Sequence, residues 1–356
     1  MIQVLALVPY PTGRAPGQRY RIEQWAPFLY REGVHVTLSP FLSQRGMEVL
    51  YEPGHVTVKA RETVRGYLRR LAEALRQISA DVIFVYREAA LLGPAWIEQV
   101  LGLRRPLVFD FDDAIYLADT SQANAWSRRL KSVTKVETIC RAAHHVTVGN
   151  EFLARYARDR ARKVTVIPST IDTDVYQIQP WARNRVPVIG WTGSVTTVPY
   201  LMALAPALRR LREKREFELR VIGAKVDIEV LAVHCLAWRA ETEPDDLRAL
   251  DVGLMPLSDD EWSRGKCGLK ALQYMALGIP PVVSPVGVNR SIVRDGVNGF
   301  HASTEEEWVD RIARLLGDES LRRQMGTEAR RTVEQSYSHR VHVPRMARVL
   351  REAAAG

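Results

Sequence analysis

The sequence predicts an α/β protein of two doubly wound domains in tandem, each a parallel sheet covered by helices. Three observations support this fold class. Short β-branched runs alternate with helical patterns along the chain, and turn residues separate them. The 356 residues, of which 46% are hydrophobic, suffice for two domains of roughly 100–200 residues each. After an irregular stretch at residues 169–187, which holds two prolines, the alternation begins again.

The first domain is predicted to span residues 1–180. Its strand candidates are Ile2–Val8, Val34–Leu38, Asp81–Tyr86, Leu107–Phe111, Val146–Val148 and Val164–Ile167. The apolar segment from Met1 to Val8 has no basic leader and no small-residue cleavage site, so we expect a buried strand and not a signal peptide. One helix between these strands carries an apolar stripe at i, i+3 and i+7 spacing: Leu68, Leu71, Leu75 and Ile78.

The second domain is predicted to span residues 181–335. Its strand candidates are Val186–Trp191, Leu219–Ile222, Val252–Met255 and Pro281–Ser284. The closing helices are expected around Trp308–Leu316, Ser320–Ser336 and Val343–Ala354, and residues 336–356 should pack back toward the first domain. Because ligands of doubly wound sheets bind at the carboxyl ends of strands, we expect the functional residues in the loops that follow the strands.

The net charge of +9, from 50 Lys and Arg against 41 Asp and Glu, favours anionic partners such as phosphates or an anionic membrane face. Nucleic acid is not expected as a partner, because the arginines are spread over helices in every part of the chain. Three widely separated cysteines, Cys140, Cys235 and Cys267, argue against a disulfide scaffold or a zinc ribbon. No apolar run approaches the ~18–20 residues that span a bilayer. We therefore expect a cytoplasmic protein, soluble or peripheral at the inner membrane face.

Two glycine-containing loops after first strands are candidates for anion binding. In PYPTGRAPGQRYR, which follows Ile2–Val8, Gly13 and Gly17 allow close backbone approach, and positive charge is supplied by Arg14, Arg19 and Arg21. In the second domain, GWTGSVTT places Gly193 and Ser194 where backbone N–H groups could face a phosphate. The alternatives are a flexible loop with solvated arginines for the first and a tight packing turn for the second.

A third segment, RGKCGLKALQYMALGIP at residues 264–280, combines two lysines with the start of a helix. Lys266 and Lys270 are four residues apart, which would place both ammonium groups on one side of that helix. This arrangement indicates a diphosphate site. The alternative is a solvated pair of like charges, which would cost free energy unless an anion lay nearby.

Three carboxylates, Asp110, Asp112 and Asp113, end the strand candidate Leu107–Phe111. Because like charges this close repel, at least one should have a raised pKa or a cationic neighbour. Arg87 and Glu88, after the preceding strand, should lie on the same rim. We expect Asp112 and Asp113 to act in catalysis; helix capping is the alternative.

Basic and apolar residues are interleaved in the segment 126–141, which predicts either a surface that binds an anionic membrane or an ordinary amphipathic helix. These residues are Trp126, Arg128, Arg129, Leu130, Lys131, Val133, Lys135 and Arg141. His339 and His342 are three residues apart without a third ligand nearby in sequence, so we expect surface residues and no metal.

The run from Asp246 to Ala302, which contains LRALDVGLMPL and GKCGLKALQYMALGIPPVVSPVGVNRSIVRDGVNGFHA, resembles the donor-binding core of GT-B glycosyltransferases of family 4, the group 1 glycosyl transferases. VTVIPSTIDTDVY and LLGDESLRRQMGTEARRTVEQSYS agree with this resemblance and keep the family order. It implies two Rossmann-like domains that face a cleft. The N-terminal domain would bind the acceptor and the C-terminal domain a nucleotide-diphosphate sugar. It also implies transfer with retention of configuration and without a metal or another cofactor, because basic groups neutralise the leaving diphosphate.

Carried over to this chain, the resemblance implies a donor site formed by Gly193, Ser194, Lys266, Gly268, Lys270 and Gln273, and an acceptor or diphosphate rim formed by Gly13, Gly17, Arg19 and Arg87. The family usually has two glutamates with seven residues between them, and this chain has Gly265 and Gln273 at those places. Gln273 can still hydrogen-bond a ribose hydroxyl.

We therefore expect a glycosyltransferase that moves a hexosyl or related unit to a saccharide, a lipid-linked or a small-molecule acceptor, as in polysaccharide biosynthesis. Two alternatives remain: a nucleotide-sugar 2-epimerase of the same fold, and a non-catalytic protein that binds nucleotides or polyanions.

Overall fold

The computed structural model describes residues 1–50, 52–75, 79–117, 134–178 and 186–356. They form two compact units: unit 1, Met1–Ser169 with Arg340–Gly356, and unit 2, Thr170–His339. The boundary expected near residue 180 lies outside the described residues, and the chain already belongs to unit 2 from Thr170. Arg330 fixes this segment there, because its guanidinium donates to the carbonyl oxygens of Thr173 and Tyr176.

Unit 1 contains one parallel sheet with the strand order β2-β1-β3-β4-β5-β6. Its strands are β1 Ile2–Val8, β2 Val34–Pro40, β3 Val82–Tyr86, β4 Leu107–Phe111, β5 His145–Val148 and β6 Val164–Val166. Its helices are α1 Pro16–Gln18, α2 Ala26–Arg31, α3 Gln44–Val49, α4 Val56–Leu75, α5 Trp96–Gly102, α6 Lys135–Ala142 and α7 Glu151–Arg158, and a π-helical turn covers Arg19–Glu23. All six predicted strands of this unit are present, and β1 and β4 have the predicted bounds.

Unit 2 repeats the architecture with the strand order β12-β11-β10-β7-β8-β9, again parallel. Its strands are β7 Val188–Thr192, β8 Glu218–Ile222, β9 Val233–Leu236, β10 Val252–Met255, β11 Pro281–Val283 and β12 Phe300–His301. Its helices are α8 Val198–Met202, α9 Ala205–Lys214, α10 Glu243–Arg248, α11 Glu261–Arg264, α12 Leu269–Ala276, α13 Asn289–Ile292, α14 Glu305–Gly317 and α15 Glu319–Ser336. The predicted class of two doubly wound α/β domains is confirmed; the two edge strands β9 and β12 were not predicted.

The last helix, α16 His339–Ala355, packs on unit 1 from Arg340 onward. Its apolar side chains Met346, Ala347 and Leu350 are fully buried in the same core as Val4 of β1 and Val82 of β3. This agrees with a C-terminal helix that returns to the first domain. Within the described residues, no helix has both the length and the apolar character needed to cross a bilayer.

Helix α4 packs in the opposite sense to its hydrophobic pattern. Leu68 and Leu71, from the predicted apolar stripe, are exposed, while Arg70 is fully buried. Arg70 donates to the carbonyl oxygens of Val8, Ser39 and Ala89, which lie at or just after the carboxyl ends of β1, β2 and β3. These bonds to three strand ends fix the polar side of α4 against the sheet, and the apolar stripe is left outside.

Other sequence predictions have different outcomes. Ile78 and the residues from Trp126 to Val133 lie outside the described residues. Lys135 is buried and pairs with Glu88 at 3.1 Å, so it is not on a basic surface.

The prediction that His339 and His342 lie on the surface is wrong. His339 and His342 are 2% and 4% exposed, and the backbone N–H of His339 donates to Ile171 O at 3.2 Å.

Candidate functional site

The candidate donor site of unit 2 lies at a topological switch point. β7 pairs with β8 on one side and with β10 on the other, so the chain winds in opposite directions from it. In doubly wound sheets, ligands bind outside the carboxyl ends of the strands at this place. The loop there is Gly193-Ser194, followed by a 3-10 turn at Val195–Thr197 and by α8.

Close packing explains the glycine in this loop. A Cβ on Gly193 would lie 2.5 Å from both Thr197 Oγ1 and the Trp191 ring. The N–H of Gly193 donates to Ile222 O at 2.9 Å, and the N–H of Ser194 donates to Thr197 Oγ1 at 3.1 Å. The expectation that both N–H groups face a phosphate is therefore not met in this structure; the loop presents the hydroxyls of Ser194, Thr196 and Thr197 instead.

Helix α12 brings Lys270 to this loop. The Lys270 ammonium lies 4.4 Å from the centre of the Trp191 ring and 3.4 Å from Thr197 Oγ1. Tyr274, one turn later, fixes the helix: its hydroxyl accepts the Thr192 N–H at 3.0 Å and donates to Leu254 O at 3.3 Å. Sequence separation alone gave no indication of this contact between the glycine loop and α12.

Lys266 lies beside Lys270 but not on the same helix. It precedes α12, which begins at Leu269, so the predicted pairing of both lysines on one helical turn is wrong. Its ammonium lies over the rings of Tyr200 and Trp262, at 5.8 and 5.5 Å. Burial, and secondly the Lys266 charge, lower the pKa of Lys270 to about 7. Among the described residues no carboxylate pairs with the Lys270 ammonium.

Two other predicted donor residues, Gly268 and Gln273, pack against other side chains of unit 2. Gly268 caps α12 in the left-handed conformation, and a Cβ there would lie 2.3 Å from Ile292. Gln273 is buried, and its Nε2 lies 3.3 Å from the hydroxyl oxygen of Tyr176. Tyr176 in turn donates to Glu243 at 2.6 Å, and Trp238 Nε1 donates to the same carboxylate at 2.7 Å. Gln273 thus begins a buried polar chain that orients Trp238.

Unit 1 has a second polar site, at its own switch point between β1 and β3. Arg87 follows β3 with a φ of 59°, a left-handed conformation that is unusual outside glycine. Its guanidinium contacts Asp112 at 2.8 Å and Asp113 at 2.5 Å. Gly17 of the loop after β1 packs on this group, since a Cβ there would lie 2.5 Å from the Tyr86 hydroxyl. The predicted rim residues Gly17, Arg87, Asp112 and Asp113 therefore lie together.

The remaining rim candidates have other contacts. Arg19 donates to the Tyr20 hydroxyl at 2.7 Å, and the N–H of Gly13, whose φ is 76°, donates to Glu23 at 2.8 Å. Burial raises the pKa of Glu23. Gly13 thus shapes the loop around the half-buried carboxylate of Glu23.

The three aspartates have different environments. Asp110 is fully buried and accepts two hydrogen bonds from Arg21, at 2.9 and 2.5 Å, and one from Thr147 at 2.6 Å. Burial raises its pKa against the opposing charge of Arg21. Burial would also raise the pKa of Asp112, but Arg87, Arg21 and the hydrogen bonds from Arg87 and Tyr86 outweigh it and lower that pKa. The expectation of a raised pKa or a cationic neighbour is confirmed.

Among the described residues, one group of side chains could converge on a metal ion: Asp172, Asp174 and His339, whose ligand atoms lie within 4.8 Å of one another. Asp172 has a structural role there, because its Oδ1 accepts the N–H of Asp174 at 2.9 Å. Asp110 and Asp112 belong to an Asp-Phe-Asp sequence at the carboxyl end of β4, and each is paired with an arginine.

Several site residues were missed by the sequence analysis. Trp191, Thr197 and Tyr200 surround the two lysines, and Arg21 neutralises Asp110. Trp191 lies inside the GWTGS motif, and this position is the one signal in the sequence that could have identified it as a site residue. Arg21 is one of three arginines in the sequence after β1, and nothing local in that sequence indicates that its side chain is fully buried.

Residues 186–318 match the family model described as glycosyl transferases group 1. Over 200 residues the chain is 30% identical to a D-inositol 3-phosphate glycosyltransferase from Xylanimonas cellulosilytica. This alignment covers 47% of this chain and 46% of that protein. The chain thus aligns with about half the length of this curated relative.

Similar solved structures cover nearly the whole chain. A sucrose-phosphate synthase from Thermosynechococcus elongatus has a TM-score of 0.70 at 15% identity, with 99% of both chains covered. HepE from Anabaena, solved in complex with UDP, has a TM-score of 0.67 at 17% identity, with 99% of this chain and all of that chain covered. At these sequence identities the similarity shows the fold alone.

Proposed function

We propose that this protein transfers a glycosyl unit from a nucleoside diphosphate sugar to a saccharide, lipid-linked or small-molecule acceptor. The GT-B fold and the match of residues 186–318 to the family model of group 1 glycosyl transferases support this. One observation carries the proposal. Lys270, beside Lys266, lies at the carboxyl end of β7 without a carboxylate partner in the described part of the chain.

Two neighbouring ammonium groups favour a ligand with at least two negative charges. Burial, and secondly the Lys266 charge, raise the cost of protonating Lys270, and the lowered pKa of Lys270 reflects this cost. A diphosphate would relieve it and would accept charge-assisted hydrogen bonds from both groups. The hydroxyl oxygens of Ser194 and Thr196 lie 2.8 Å apart after the same strand end, and whichever hydroxyl accepts that hydrogen bond can donate its own proton to a phosphate oxygen. HepE, a structural neighbour, was solved with UDP and with UDP-glucose, so a uridine nucleotide is the first donor to test.

The direct test of the function is nucleotide release. The purified protein is incubated with nucleoside diphosphate sugars, with and without candidate acceptors, and the released nucleoside diphosphate is measured. Release that grows with acceptor supports a transferase. Binding without release would support a nucleotide-binding protein, and conversion of the donor to its 2-epimer would support the epimerase.

We also propose that transfer retains anomeric configuration and needs no metal. The lysine pair would stabilise the leaving diphosphate in place of Mg²⁺. The carboxylates of the Asp-Phe-Asp sequence at the carboxyl end of β4 are already engaged, Asp110 with Arg21 and Asp112 with Arg87. The anomeric configuration of the product, read by NMR, tests retention.

Metal independence leads to a simple expectation for the same release assay. Protein treated with EDTA and then freed of the chelator should keep most of its activity, because the charge that stabilises the diphosphate belongs to lysines. Activity that disappears after EDTA and returns with Mg²⁺ or Mn²⁺ would contradict the proposal and would point to a metal at an acidic cluster.

For unit 1 we propose that Asp112 and Asp113 act on the acceptor hydroxyl or on charge that develops in the transition state. Asp113, the more exposed carboxylate, is suited to contact a substrate, while Asp112 positions Arg87. Asn at the critical position should lower turnover by ~10²–10⁴-fold with little change in donor affinity.

Melting temperature separates the two aspartates. Asp113→Asn should leave it near wild type, whereas Asp112→Asn should lower it, because the change removes a buried partner of Arg87. Glu137→Gln, which removes an exposed partner of Arg141, is the matched control and should change neither quantity. Normal turnover in both Asp variants would leave the acidic cluster a purely structural feature.

A further inference from the structure

Helix α4 exposes an apolar stripe along its whole length. Its exposed residues are Val56, Thr57, Ala60, Arg61, Val64, Arg65, Leu68, Leu71 and Leu75. Val64, Leu68, Leu71 and Leu75 follow one another at i+4, i+3 and i+4, so their side chains lie in a line on one face. Leu68 is 62% exposed and Leu75 is 69% exposed. Large apolar side chains arranged in such a line on a surface mark an interaction site.

The charge on this face has one sign. Arg61 and Arg65 flank the stripe, and α4, whose residues are all described, has no exposed carboxylate. Its two acidic residues are not exposed: Glu62 is buried, accepts a hydrogen bond from Ser43 and lies 4.0 Å from Arg65, and Glu73 pairs with the buried Arg70 at 2.9 Å.

The surface continues past the carboxyl end of the helix. Leu103, after α5, is 88% exposed, and the neighbouring Arg104 and Arg105 are exposed as well. Arg104 donates to the carbonyl oxygen of Ala74, which places this turn against the last residues of α4. We call α4 together with residues 103–105 the α4 face.

We propose that the α4 face docks unit 1 on the surface of an anionic lipid bilayer. A stripe of 20 residues at 1.5 Å per residue is about 30 Å long, and it can lie in the plane of a membrane with its leucines among the acyl chains. The arginines beside it would meet lipid phosphates. This proposal is independent of the donor site, which belongs to unit 2.

The charge pattern favours a membrane over a second copy of the chain. If two α4 faces packed on each other, Arg61 and Arg65 would face the arginines of the other copy, and the one α4 carboxylate paired with them is the buried Glu62, which lies 4.0 Å from Arg65 and already accepts a hydrogen bond from Ser43. An anionic bilayer supplies negative charge at every point of the face, and each arginine near it strengthens binding severalfold.

The test is sedimentation of the full chain with vesicles of phosphatidylcholine alone or mixed with phosphatidylglycerol, without donor or acceptor. The wild type should bind the anionic vesicles and be released by high salt. Leu68→Glu with Leu71→Glu should lower vesicle binding by about 10- to 100-fold, since two apolar side chains leave the bilayer. Arg61→Gln with Arg65→Gln should weaken binding to anionic vesicles severalfold and leave binding to neutral vesicles unchanged.

Val297→Glu, at an exposed apolar position of unit 2, is the matched control and should bind as the wild type does. All variants should keep the melting temperature and the UDP-glucose affinity of the wild type, because these side chains are exposed and lie outside the donor site. Wild-type protein that ignores anionic vesicles would overturn the proposal, and so would leucine variants that still bind. A wild-type dimer that the leucine variants abolish, without vesicle binding, would assign the α4 face to a second copy instead.

Discussion

Lys270→Ala is expected to weaken binding of a nucleoside diphosphate sugar by ~10–150-fold, because it removes a charge-assisted contact of about 1.5–3 kcal/mol. UDP-glucose binding, measured by calorimetry, is the direct readout. Lys266→Ala should have an effect of the same kind. Lys214→Ala, at an exposed lysine of α9, is the matched control and should leave the affinity unchanged. If both site variants bound UDP-glucose as the wild type does, the diphosphate site would lie elsewhere.

The pH dependence of binding gives a second readout of Lys270. Its pKa of about 7 in the free protein means that the ammonium loses its proton as the pH rises through this value. A bound diphosphate favours the charged form, so binding must take up a proton above about pH 7. We expect UDP-glucose affinity to fall from about pH 6.5 to about pH 8.5 in the wild type and to stay level in Lys270→Ala. A wild-type profile as level as that of the variant would contradict this role.

The same pKa affects stability with a definite sign. The folded-state pKa of Lys270 lies below that of an unfolded lysine, about 10.4, so the unfolded chain binds the proton more tightly between these values. The free energy of unfolding should therefore increase as the pH rises above about 7. Below about pH 7 the folded protein bears the full cost of burying the charged Lys270 ammonium.

The second large effect is expected from Asp110→Asn. Arg21 and Asp110 are both fully buried, and the guanidinium also donates to Ile167 O. Loss of the carboxylate charge leaves an uncompensated buried cation, which should lower the free energy of unfolding of unit 1 by about 3–5 kcal/mol. Urea denaturation followed by tryptophan fluorescence measures it, with Trp25 of the same core as a reporter.

An exposed ion pair supplies the control for this variant. Glu151→Gln removes the partner of Arg158 on α7, where both side chains are at least half exposed, and should cost less than about 1 kcal/mol. Arg21→Met together with Asp110→Leu should recover much of the lost stability, because no charge then stays buried. If Asp110→Asn were as mild as the control, the buried pair would not be a stabilising element of unit 1.

Continuous apolar runs could be read from the sequence. β1, β4 and β10 have the predicted bounds, because both faces of a central parallel strand are buried and every residue in the run contributes to the signal. The edge strands β9 and β12 have no such signal. β9 is Val-His-Cys-Leu with two exposed residues, and β12 has only two residues. Pairing with a neighbour across the sheet, and not local composition, defines them as strands.

For the candidate site, the sequence indicated which loops carry chemistry but not how their residues pair. Lys266, Lys270 and the GWTGS loop were predicted from local motifs, and the structure brings Lys270 to Thr197 across 73 residues of sequence. The predicted phosphate-facing N–H groups of Gly193 and Ser194 instead have acceptors within the protein. Hydrogen-bond partners of this kind depend on which loops the sheet order places side by side.

The sequence by itself determined the fold class, the order of the two units and the positions of the glycine, lysine and aspartate motifs, because hydrophobic periodicity and turn chemistry are local properties. Only the tertiary structure decided which face of α4 is buried. Gly66 admits the Phe41 ring, and Arg70 finds three carbonyl oxygens at strand ends, so a polar face packs inward against its own pattern. The physical reason is that burial of a charged group depends on partners far away in sequence. The apolar stripe of α4 was readable from the sequence, but its exposure to solvent was not.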